Sequence, residues 1–308
     1  MKAFIFTAGY GERLRPLTDR IPKPLAPVVN VPALCWPLAV LAGAGVSDIT
    51  CNLHHRHEDL VSFFNGNGNF DFDITYSFEE TILGTGGGLK KCEKMFSGGD
   101  FLVLNGDVIM DLNVARLMAL HRERRAIATV VLFRHRDAVS IGPVALRDGA
   151  VADFKNFLVS GLEAEHIYTG AAALSPEIFR YLEQDFSSIV YTAYVEIIRR
   201  HRLEFFVHDG YWYDIGSPES LYRVNMEMLD RIGGIGKLME PLTGIEAVAV
   251  SGASSIGRGA LVERSVVGGG AFVGPGAVVR ESVLLPGACV EAGAVLEGSL
   301  IFGDRIIN

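Results

Sequence analysis

The sequence predicts an α/β domain built on a parallel sheet, followed by a smaller parallel β-helix. Three observations support this: strand-like and helix-like apolar patterns alternate over residues 1–230, a glycine-rich run follows, and the remaining chain repeats every 17 residues. With 308 residues, 49% hydrophobic and 21% charged, the chain is long and apolar enough for two domains with their own cores. A largely disordered protein is excluded.

Strand-like runs and helical patterns alternate along the first part of the chain. The predicted strands are 3–7, 49–53, 74–78, 101–105, 128–133, 143–147, 151–154, 166–174 and 203–207, and the predicted helices are 33–44, 57–64, 86–96 and 113–124. This alternation indicates helices on both faces of the sheet, with ligands at the carboxyl ends of its strands.

The end of the first domain is marked by a helix and a glycine-rich run. Ser217 is suited to cap a helix that extends to residue 232, and Pro218 is suited to its first position. The run 233–236 contains three glycines and is interpreted as a linker. The predicted domains are therefore 1–235 and 236–308.

The tail from residue 244 onward repeats at an offset of 17 residues. Its apolar columns are Ile256/Val273/Val290/Ile307, Val262/Val279/Leu296 and Val267/Leu284/Ile301, in step with Gly259/Gly276/Gly293, Ala260/Ala277/Ala294 and Ser265/Ser282/Ser299. Apolar positions lie 6, 6 and 5 residues apart, which predicts three flat faces per coil and small residues at the corners. The pattern resembles left-handed hexapeptide-repeat β-helices. Exposed coil ends favour self-association, so we expect a homo-oligomer through this tail.

Charge and cysteine content restrict the partners and the compartment. Lys and Arg total 28 against 36 Asp and Glu, a net charge of −8 that disfavours nucleic acid and acidic membranes as partners. The four cysteines are widely spaced and resemble neither a disulfide framework nor a zinc site. The first residues do not follow a signal-peptide pattern, and Val31–Val46 is too short and interrupted for a membrane span. We expect a cytoplasmic protein.

A cationic, glycine-rich segment follows the first predicted strand. It reads Ala8-Gly9-Tyr10-Gly11-Glu12-Arg13-Leu14-Arg15-Pro16-Leu17-Thr18 and continues with Pro22-Lys23-Pro24. Glycine lets backbone N–H groups approach phosphate oxygens, and Arg13, Arg15 and Lys23 supply positive charge. Leu14 replaces the last glycine of a dinucleotide-binding G-x-G-x-x-G, and no G-x-x-x-x-G-K-[ST] is present, so both of those classes are disfavoured. The segment predicts a phosphate-binding loop.

Together with three further segments, this loop resembles the sugar-1-phosphate nucleotidyltransferase family, in particular its mannose-1-phosphate guanylyltransferase-like members. The family signature G-x-G-x-R-L-x-P-L-T…P-K-P matches residues 9–24, and the other segments are Leu83-Gly84-Thr85-Gly86-Gly87-Gly88, Leu104-Asn105-Gly106-Asp107 and Trp212-Tyr213-Asp214-Ile215-Gly216-Ser217. The resemblance covers residues 1–230, and many such members also carry a β-helix tail. It implies a Rossmann-like nucleotidyltransferase domain with a mixed, mainly parallel sheet, followed by a left-handed β-helix.

The resemblance also implies roles for individual residues. The family condenses a nucleoside triphosphate with a sugar 1-phosphate to give an NDP-sugar and pyrophosphate. Arg13 would clamp the β- and γ-phosphates, Lys23 would hold the α-phosphate and the incoming sugar phosphate, and Asp107 and Asp214 would bind Mg²⁺. The implied nucleotide-binding residues are Ala8, Gly9, Gly11, Arg13, Gly84, Thr85 and Gly86, and the implied sugar-binding residues are Gly142, Lys155, Thr169 and Gly170.

The sequence leaves the base and the sugar open. Many members carry F-x-E-K-P, whereas this chain has Phe154-Lys155-Asn156-Phe157, without the acid and with the lysine shifted. GTP with mannose 1-phosphate is the first expectation. The alternatives are uridylyl or thymidylyl transfer to glucose or amino-sugar 1-phosphates, and a non-catalytic regulatory homologue that binds NDP-sugars. A β-helix acyltransferase is disfavoured, because no histidine follows His208.

Two polar clusters receive no role from these motifs. His54, His55 and His57 follow a predicted strand without the cysteine or paired carboxylates that would complete a metal shell, so an exposed loop is preferred. Glu79 and Glu80 precede the glycine segment, and we expect neither to contact a ligand. The role of the histidines stays open.

Overall fold

The computed structural model describes residues 1–66 and 70–307, and internal contacts divide the chain into two units. The first unit comprises Met1–Gly9, Val40–His57 and Asp71–Trp212, and the second comprises Tyr10–Ala39, Glu58–Phe70 and Tyr213–Asn308. Each unit is thus assembled from separate stretches of chain. The domain boundary near residue 235 stays a prediction made from the sequence.

A nine-stranded mixed sheet forms the centre of the first unit. Its strands are β1 (Lys2–Phe6), β2 (Asp48–Leu53), β3 (Asp73–Phe78), β4 (Phe101–Asn105), β5 (Ala128–Arg134), β6 (Pro143–Arg147), β7 (Ala150–Phe154), β8 (His166–Leu174) and β9 (Leu203–His208). The hydrogen-bonded order is β7-β6-β8-β4-β1-β2-β3, and β5 pairs with both β8 and β9. Each strand agrees with its predicted bounds to within a residue, which confirms the strand predictions.

The strand directions show why the sheet is mixed. Strands β4, β1, β2 and β3 run parallel, as do β9 and β5. Strand β8 is antiparallel to β4, β5 and β6, and β6 and β7 form an antiparallel pair. Ala3, Phe4 and Ile5 of β1 are fully buried, as expected for a parallel strand covered on both faces. The segments that follow β1, β2 and β4 therefore emerge at the same edge of the sheet.

Eight α-helices accompany these strands in the described residues. They are α1 (Cys35–Gly43), α2 (His57–Gly66), α3 (Gly84–Lys91), α4 (Val114–Arg124), α5 (Ala138–Ile141), α6 (Val195–Arg199), α7 (Pro218–Asp230) and α8 (Ile232–Met239). Short strands lie at Pro27–Val28, Val31–Pro32, Val108–Met110 and Trp212–Asp214. Helix α7 begins as predicted, because the Ser217 hydroxyl accepts a hydrogen bond from the Ser220 N–H at 3.2 Å.

The glycine-rich run that was interpreted as a linker is helical. Residues 233–236 lie inside α8, where Ile235 and Met239 are buried. Burial of these side chains outweighs the low helix propensity of the glycines. None of the described helices has the length and apolar character needed to cross a membrane.

The cysteines are free. Cys35, Cys51 and Cys92 are buried and Cys289 is exposed. Burial raises the pKa of Cys35 and of Cys51 to about 12, so these two thiols stay protonated at neutral pH. The expectation that the cysteines form no disulfide framework is consistent with this arrangement.

Three stacks of short parallel strands form the tail in the second unit. The first contains Ser255–Ile256, Phe272–Val273 and Cys289–Val290; the second contains Leu261–Glu263, Val278–Arg280 and Val295–Glu297; the third contains Val266–Val267, Val283–Leu284 and Leu300–Phe302. Pairing places Ile256 beside Val273, Val262 beside Val279 and Val267 beside Leu284, and the next coil follows the same register. The 17-residue columns and the β-helix are therefore confirmed.

The end of the tail departs from the repeat. Ile307 was expected to continue the first column, but Arg305–Ile306 turns back and pairs antiparallel with Leu300–Phe302. Gly303, with φ +62°, allows this tight reversal. The Ile307 N–H then donates to the Leu300 carbonyl at 2.9 Å.

A column of buried serines links successive coils. Ser265, Ser282 and Ser299 are buried. The Ser265 hydroxyl accepts from the Ser282 N–H at 3.0 Å, and the Ser282 hydroxyl accepts from the Ser299 N–H at 3.2 Å. Each of these two hydroxyls thus satisfies a buried backbone donor one coil away.

Candidate active site

The part of the phosphate-binding loop that lies in the second unit, from Tyr10 onward, folds closely upon itself. Gly11 has φ +66° and precedes the short 3₁₀ helix Glu12–Leu14. A Cβ at Gly11 would lie 2.8 Å from Thr18 Cγ2 and 3.1 Å from Lys23 Cβ. The Thr18 hydroxyl donates to the Gly11 carbonyl at 2.9 Å. Both the backbone conformation and the close approach therefore require glycine at this position.

Three predicted site residues lie together around Gly216 in the same unit. Lys23 Nζ is 3.3 Å from Asp214 Oδ1, and the Lys23 side chain is only 14% exposed. A Cβ at Gly216 would lie 2.7 Å from both Arg13 Nη2 and Asp214 Oδ2. Glycine at 216 thus leaves room for the Arg13 guanidinium next to this ion pair. Two cations beside one carboxylate form a positive site suited to phosphate.

The carboxylates assigned to Mg²⁺ can be compared with what the ion requires. Asp107 follows β4 in the first unit, and Asp214 ends a short strand in the second. Among the described residues, no three His, Cys, Asp or Glu side chains cluster as a metal shell. Mg²⁺ is usually held by one or two carboxylates together with water and substrate phosphates. Each of the two carboxylates is therefore, by its chemistry, a suitable oxygen donor for a Mg²⁺ ion that arrives with a nucleotide.

The glycine segment forms the first turns of α3 and is covered by a segment of its own unit. A Cβ at Gly84 or Gly86 would overlap Ser187, and one at Gly87 would overlap the Asp185 carbonyl. The Gly86 N–H donates to the Ser187 carbonyl at 2.8 Å, and the Ile189 N–H donates to the Thr85 hydroxyl at 3.0 Å. These glycines are thus required by the packing of the chain itself. No sequence motif identified residues 185–189 as their neighbour.

Glu79 is a residue whose structural role the sequence reasoning missed. It is only 4% exposed, and its carboxylate accepts from Asn52 Nδ2 and from the Leu83 N–H, both at 2.8 Å. A buried carboxylate needs such partners to compensate for lost hydration. The one available sequence signal was an acidic residue placed shortly before the glycine run.

The four implied sugar-binding residues lie at two places in the first unit. Lys155 lies beside Gly142, and Thr169 and Gly170 are consecutive in the sequence. A Cβ at Gly142 would lie 2.7 Å from Lys155 Cε. Gly170, with φ +85°, faces Asn105, whose Cγ would be 2.6 Å from an added Cβ. Thr169 is buried, and its hydroxyl donates to the Val131 carbonyl at 2.9 Å. That bond gives Thr169 a structural contact, whereas Lys155 is exposed.

The histidines after β2 are held by backbone carbonyls. His54 Nδ1 lies 2.8 Å from the Glu79 carbonyl and must donate to it, and His57 Nδ1 lies 3.2 Å from the His54 carbonyl. The His57 ring also makes an edge contact with Phe78, with centroids 5.4 Å apart. These contacts give His54 and His57 structural positions.

An ion pair between buried His208 and exposed Asp111 joins two segments of the first unit. His208 Nε2 lies 3.1 Å from Asp111 Oδ1, which also accepts from the Tyr211 N–H at 2.8 Å. Burial favours a lower pKa for His208, but the hydrogen bond and charge of Asp111 outweigh it and raise the pKa. Burial opposes the shift of Asp111, whose pKa is lowered by the hydrogen bonds from His208 and Tyr211. The pair fixes the turn at Gly210–Tyr211 to the segment that follows Val108–Met110.

Curated proteins are similar to this chain in sequence. A 33% identity over 224 residues links the chain to the mannose-1-phosphate guanyltransferase of Yarrowia lipolytica, covering 71% of this chain and 61% of that protein. The UTP–glucose-1-phosphate uridylyltransferase of Synechocystis is also 33% identical, over 253 residues that cover 75% and 64% of the two chains. The chain thus spans about three fifths of the length of the first of these relatives.

Solved structures and a family profile agree on the fold. The structure of HddC from Yersinia pseudotuberculosis complexed with GMP-PN superposes with a TM-score of 0.62 at 22% identity, covering 74% of this chain and 99% of that one. The profile of the family described as Nucleotidyl transferase matches residues 2–231. The chain therefore belongs to the nucleotidyl transferase family, and the resemblance to sugar-1-phosphate nucleotidyltransferases is confirmed.

Proposed function

We propose that this chain transfers a nucleotidyl group from a nucleoside triphosphate to a sugar 1-phosphate, most simply from GTP to mannose 1-phosphate. The observation that carries the proposal is the cluster of Arg13, Lys23 and Asp214 around Gly216, a positive site in an acidic protein. The Yarrowia relative, which is a mannose-1-phosphate guanyltransferase, supports the choice of substrates.

The proposed reaction is an in-line displacement at the α-phosphorus. A sugar phosphate oxygen forms a bond to that phosphorus while the bond to the bridging oxygen of pyrophosphate breaks. The attacking phosphate is already an anion, so neither a general base nor a covalent nucleophile is required. The protein contributes mainly charge neutralisation and orientation of the reactants.

The cations of the cluster would perform that neutralisation. Arg13 would bind the β- and γ-phosphates and stabilise the departing pyrophosphate, and Lys23 would bind the α-phosphate and the incoming sugar phosphate. The ion pair between Lys23 and Asp214 keeps the ammonium in place while no nucleotide is bound. The family resemblance assigns Asp107 and Asp214 to Mg²⁺, which would add further positive charge to the phosphates.

The remaining assignments extend the same proposal. Backbone groups of Ala8, Gly9 and Gly11 would face the phosphates, and residues of the glycine segment, Gly84, Thr85 and Gly86, would line the base. Lys155, the exposed lysine next to Gly142, would contact the sugar or its phosphate, and Gly170 would line the sugar. A cytoplasmic location is part of the proposal.

A different base and sugar is the second candidate. The Synechocystis relative is a UTP–glucose-1-phosphate uridylyltransferase, and its identity of 33% equals that of the Yarrowia protein. The altered Phe154–Phe157 segment favours neither substrate pair. A non-catalytic homologue is disfavoured, because the four residues with proposed roles at the phosphates and the metal are all present, namely Arg13, Lys23, Asp107 and Asp214.

A substrate panel tests the proposal. Pyrophosphate release is measured with GTP, UTP, dTTP and ATP, each crossed with mannose, glucose and N-acetylhexosamine 1-phosphates, with and without Mg²⁺. We expect Mg²⁺-dependent turnover with at least one pair, and GTP with mannose 1-phosphate to be best. Absence of turnover with every pair contradicts the proposal.

Two variants assign the roles. Lys23→Ala is expected to lower kcat/KM by about 10²- to 10³-fold, as removal of a transition-state charge partner does elsewhere. Lys237→Ala, an exposed lysine of the same unit, is the matched control and should keep wild-type activity. Asp107→Ala should abolish Mg²⁺-dependent turnover, and wild-type turnover by that variant would refute its role.

Self-association through the tail is a separate part of the proposal. Val295 lies in the second stack and is 68% exposed, so its side chain is accessible for contact with a second copy of the tail. We expect the intact chain to sediment as an oligomer and Val295→Asp to shift it towards monomer. A monomeric wild-type protein contradicts this part.

A further inference from the structure

A continuous hydrogen-bond chain, buried at Thr7, Asn52 and Glu79, runs from the end of β1 to the start of α3. The Thr7 N–H donates to Asn52 Oδ1 at 2.8 Å, Asn52 Nδ2 donates to Glu79 Oε1 at 2.8 Å, and Glu79 Oε2 accepts from the Leu83 N–H at 2.8 Å. Thr7, Asn52 and Glu79 are 2%, 3% and 4% exposed. Thr7, Asn52, Glu79 and Leu83 all belong to the first unit.

The order of donors and acceptors along this hydrogen-bond chain is fixed by its two ends. Both ends are backbone N–H groups, which can only donate. Asn52 must therefore turn its oxygen to Thr7 and its amino group to Glu79, and Glu79 must offer an acceptor on both sides. A carboxylate meets that requirement, whereas an amide does not.

Glu79 is itself held to the end of β2. Its N–H donates to the Leu53 carbonyl at 2.8 Å, and its carbonyl accepts from His54 Nδ1 at 2.8 Å. Its carboxylate also lies against α3, because a Cβ at Gly88 would be 2.6 Å from Oε1. A negative group near the first turn of a helix is favoured by the helix dipole.

The two ends of this hydrogen-bond chain adjoin the two backbone segments of the first unit that are assigned to the nucleotide. Thr7 directly precedes Ala8 and Gly9, and Leu83 directly precedes Gly84. We propose that Asn52 and Glu79 are positioning residues: they fix the start of α3 relative to the end of β1, so that both backbone segments face one nucleotide. The inference rests on the proposed nucleotidyl transfer.

Exchange of the two side-chain types gives a direct test. Asn52→Asp places two carboxylates in contact, and Glu79→Gln leaves two N–H donors facing each other. The double variant Asn52→Asp with Glu79→Gln restores the order, because the new amide at position 79 can donate to the new carboxylate at position 52 and still accept from Leu83. Each single change is expected to lower kcat/KM about tenfold to hundredfold, mainly through a higher KM for the nucleoside triphosphate. The double variant should recover to within about threefold of wild type.

A second readout does not depend on activity. Amide hydrogen exchange of α3 should accelerate in both single variants and return to the wild-type rate in the double variant. The control is Thr129→Val, which removes the buried 2.9 Å hydrogen bond to His121 elsewhere in this unit. It should lower the thermal midpoint without changing the KM for the nucleotide or the exchange of α3.

The outcomes separate this inference from the proposed function. The positioning role is overturned if the wild type turns over and the single variants keep its kcat/KM. It is also overturned if the kcat/KM of the double variant is as low as that of the single variants. If the wild type shows no turnover with any substrate pair, the proposed function fails, and the exchange of α3 alone decides whether Asn52 and Glu79 hold that helix. Loss and recovery in both readouts support the inference.

Discussion

Glycine allows close backbone packing in two regions of this protein, the β-helix tail and the start of α3, but the neighbours differ. In the tail, a Cβ at Gly274 would lie 2.5 Å from the Ala292 nitrogen, and one at Gly268 would lie 2.6 Å from the Pro286 nitrogen, each in the next coil. In α3, Gly86 and Gly87 meet residues 185–187 of a remote segment.

The two regions differ in whether the glycine contact is repeated along the chain. A tail glycine repeats a contact that the other coils also make, so the loss of one contact is expected to stay local. The α3 glycines make one unrepeated contact, and this contact sets where a binding segment lies. We therefore expect tail substitutions to change stability alone and α3 substitutions to change stability and turnover together.

Truncation of the tail core should give the largest loss of stability. Leu284 of the third stack is fully buried and pairs with Val267 on one side and Ile301 on the other. Leu284→Ala is expected to lower the free energy of unfolding by about 2–5 kcal/mol, measured by urea denaturation, with turnover at 25 °C unchanged. Leu261→Ala, at a position that is 39% exposed, is the control and should cost much less. A parallel fall in turnover would show that the tail does more than repeat a structural contact.

Substitution in α3 should affect both properties. In Gly87→Ala, the new methyl group would overlap the Asp185 carbonyl, and a backbone shift is required. We expect a loss of about 1–3 kcal/mol in unfolding free energy and a clear fall in kcat/KM. Gly98→Ala, where nothing lies within 4 Å of an added Cβ, should behave as wild type. Normal turnover in Gly87→Ala would remove the distinction between the two regions.

The matching tail substitution should affect stability only. Gly274→Ala also forces a methyl group against backbone, and a loss of about 1–3 kcal/mol in unfolding free energy is expected. Turnover below the unfolding transition should equal that of wild type. Gly252→Ala, with open space around it, serves as the reference.

The smallest expected effect is a pH dependence in the first unit. The pKa of His208 is raised in the folded state, so its pair with Asp111 stabilises the fold below about pH 6.5 and less as pH rises through the folded pKa. The pKa of Asp111 is lowered, so this contribution also fades in strong acid. Urea denaturation at pH 6 and pH 8 should show a decline for wild type that His208→Gln lacks. Equal declines in both proteins would contradict the assignment.

What could be predicted from sequence follows the same division. Each of the nine strands is a short apolar run with its own local signal, and the tail columns recur every 17 residues, so local patterns were sufficient for both. The packing of residues 185–189 on α3 recurs nowhere in the described residues, and the partners of Glu79 lie on β2 and at the start of α3. Long-range contacts of this kind leave no periodic signal.

Sequence motifs predicted which residues belong to the site but not the contacts between them. Resemblance named Lys23 and Asp214 separately, and their 3.3 Å contact across 191 positions of sequence required the fold. Helix α8 was missed because composition favours a flexible run there, whereas burial of Ile235 and Met239 stabilises a helix. Tertiary packing overrides local propensity in such short segments.

The serine column described above limits how the tail can change in length. Each bonded hydroxyl serves the backbone of the next coil, so inserting or deleting a whole 17-residue repeat keeps every serine opposite an N–H group. An insertion within a strand that is not a whole number of repeats would turn inward aliphatic residues outward and leave buried donors without acceptors. Homologous tails should therefore differ in number of coils while each coil keeps its size, and recombination between repeats would provide such steps.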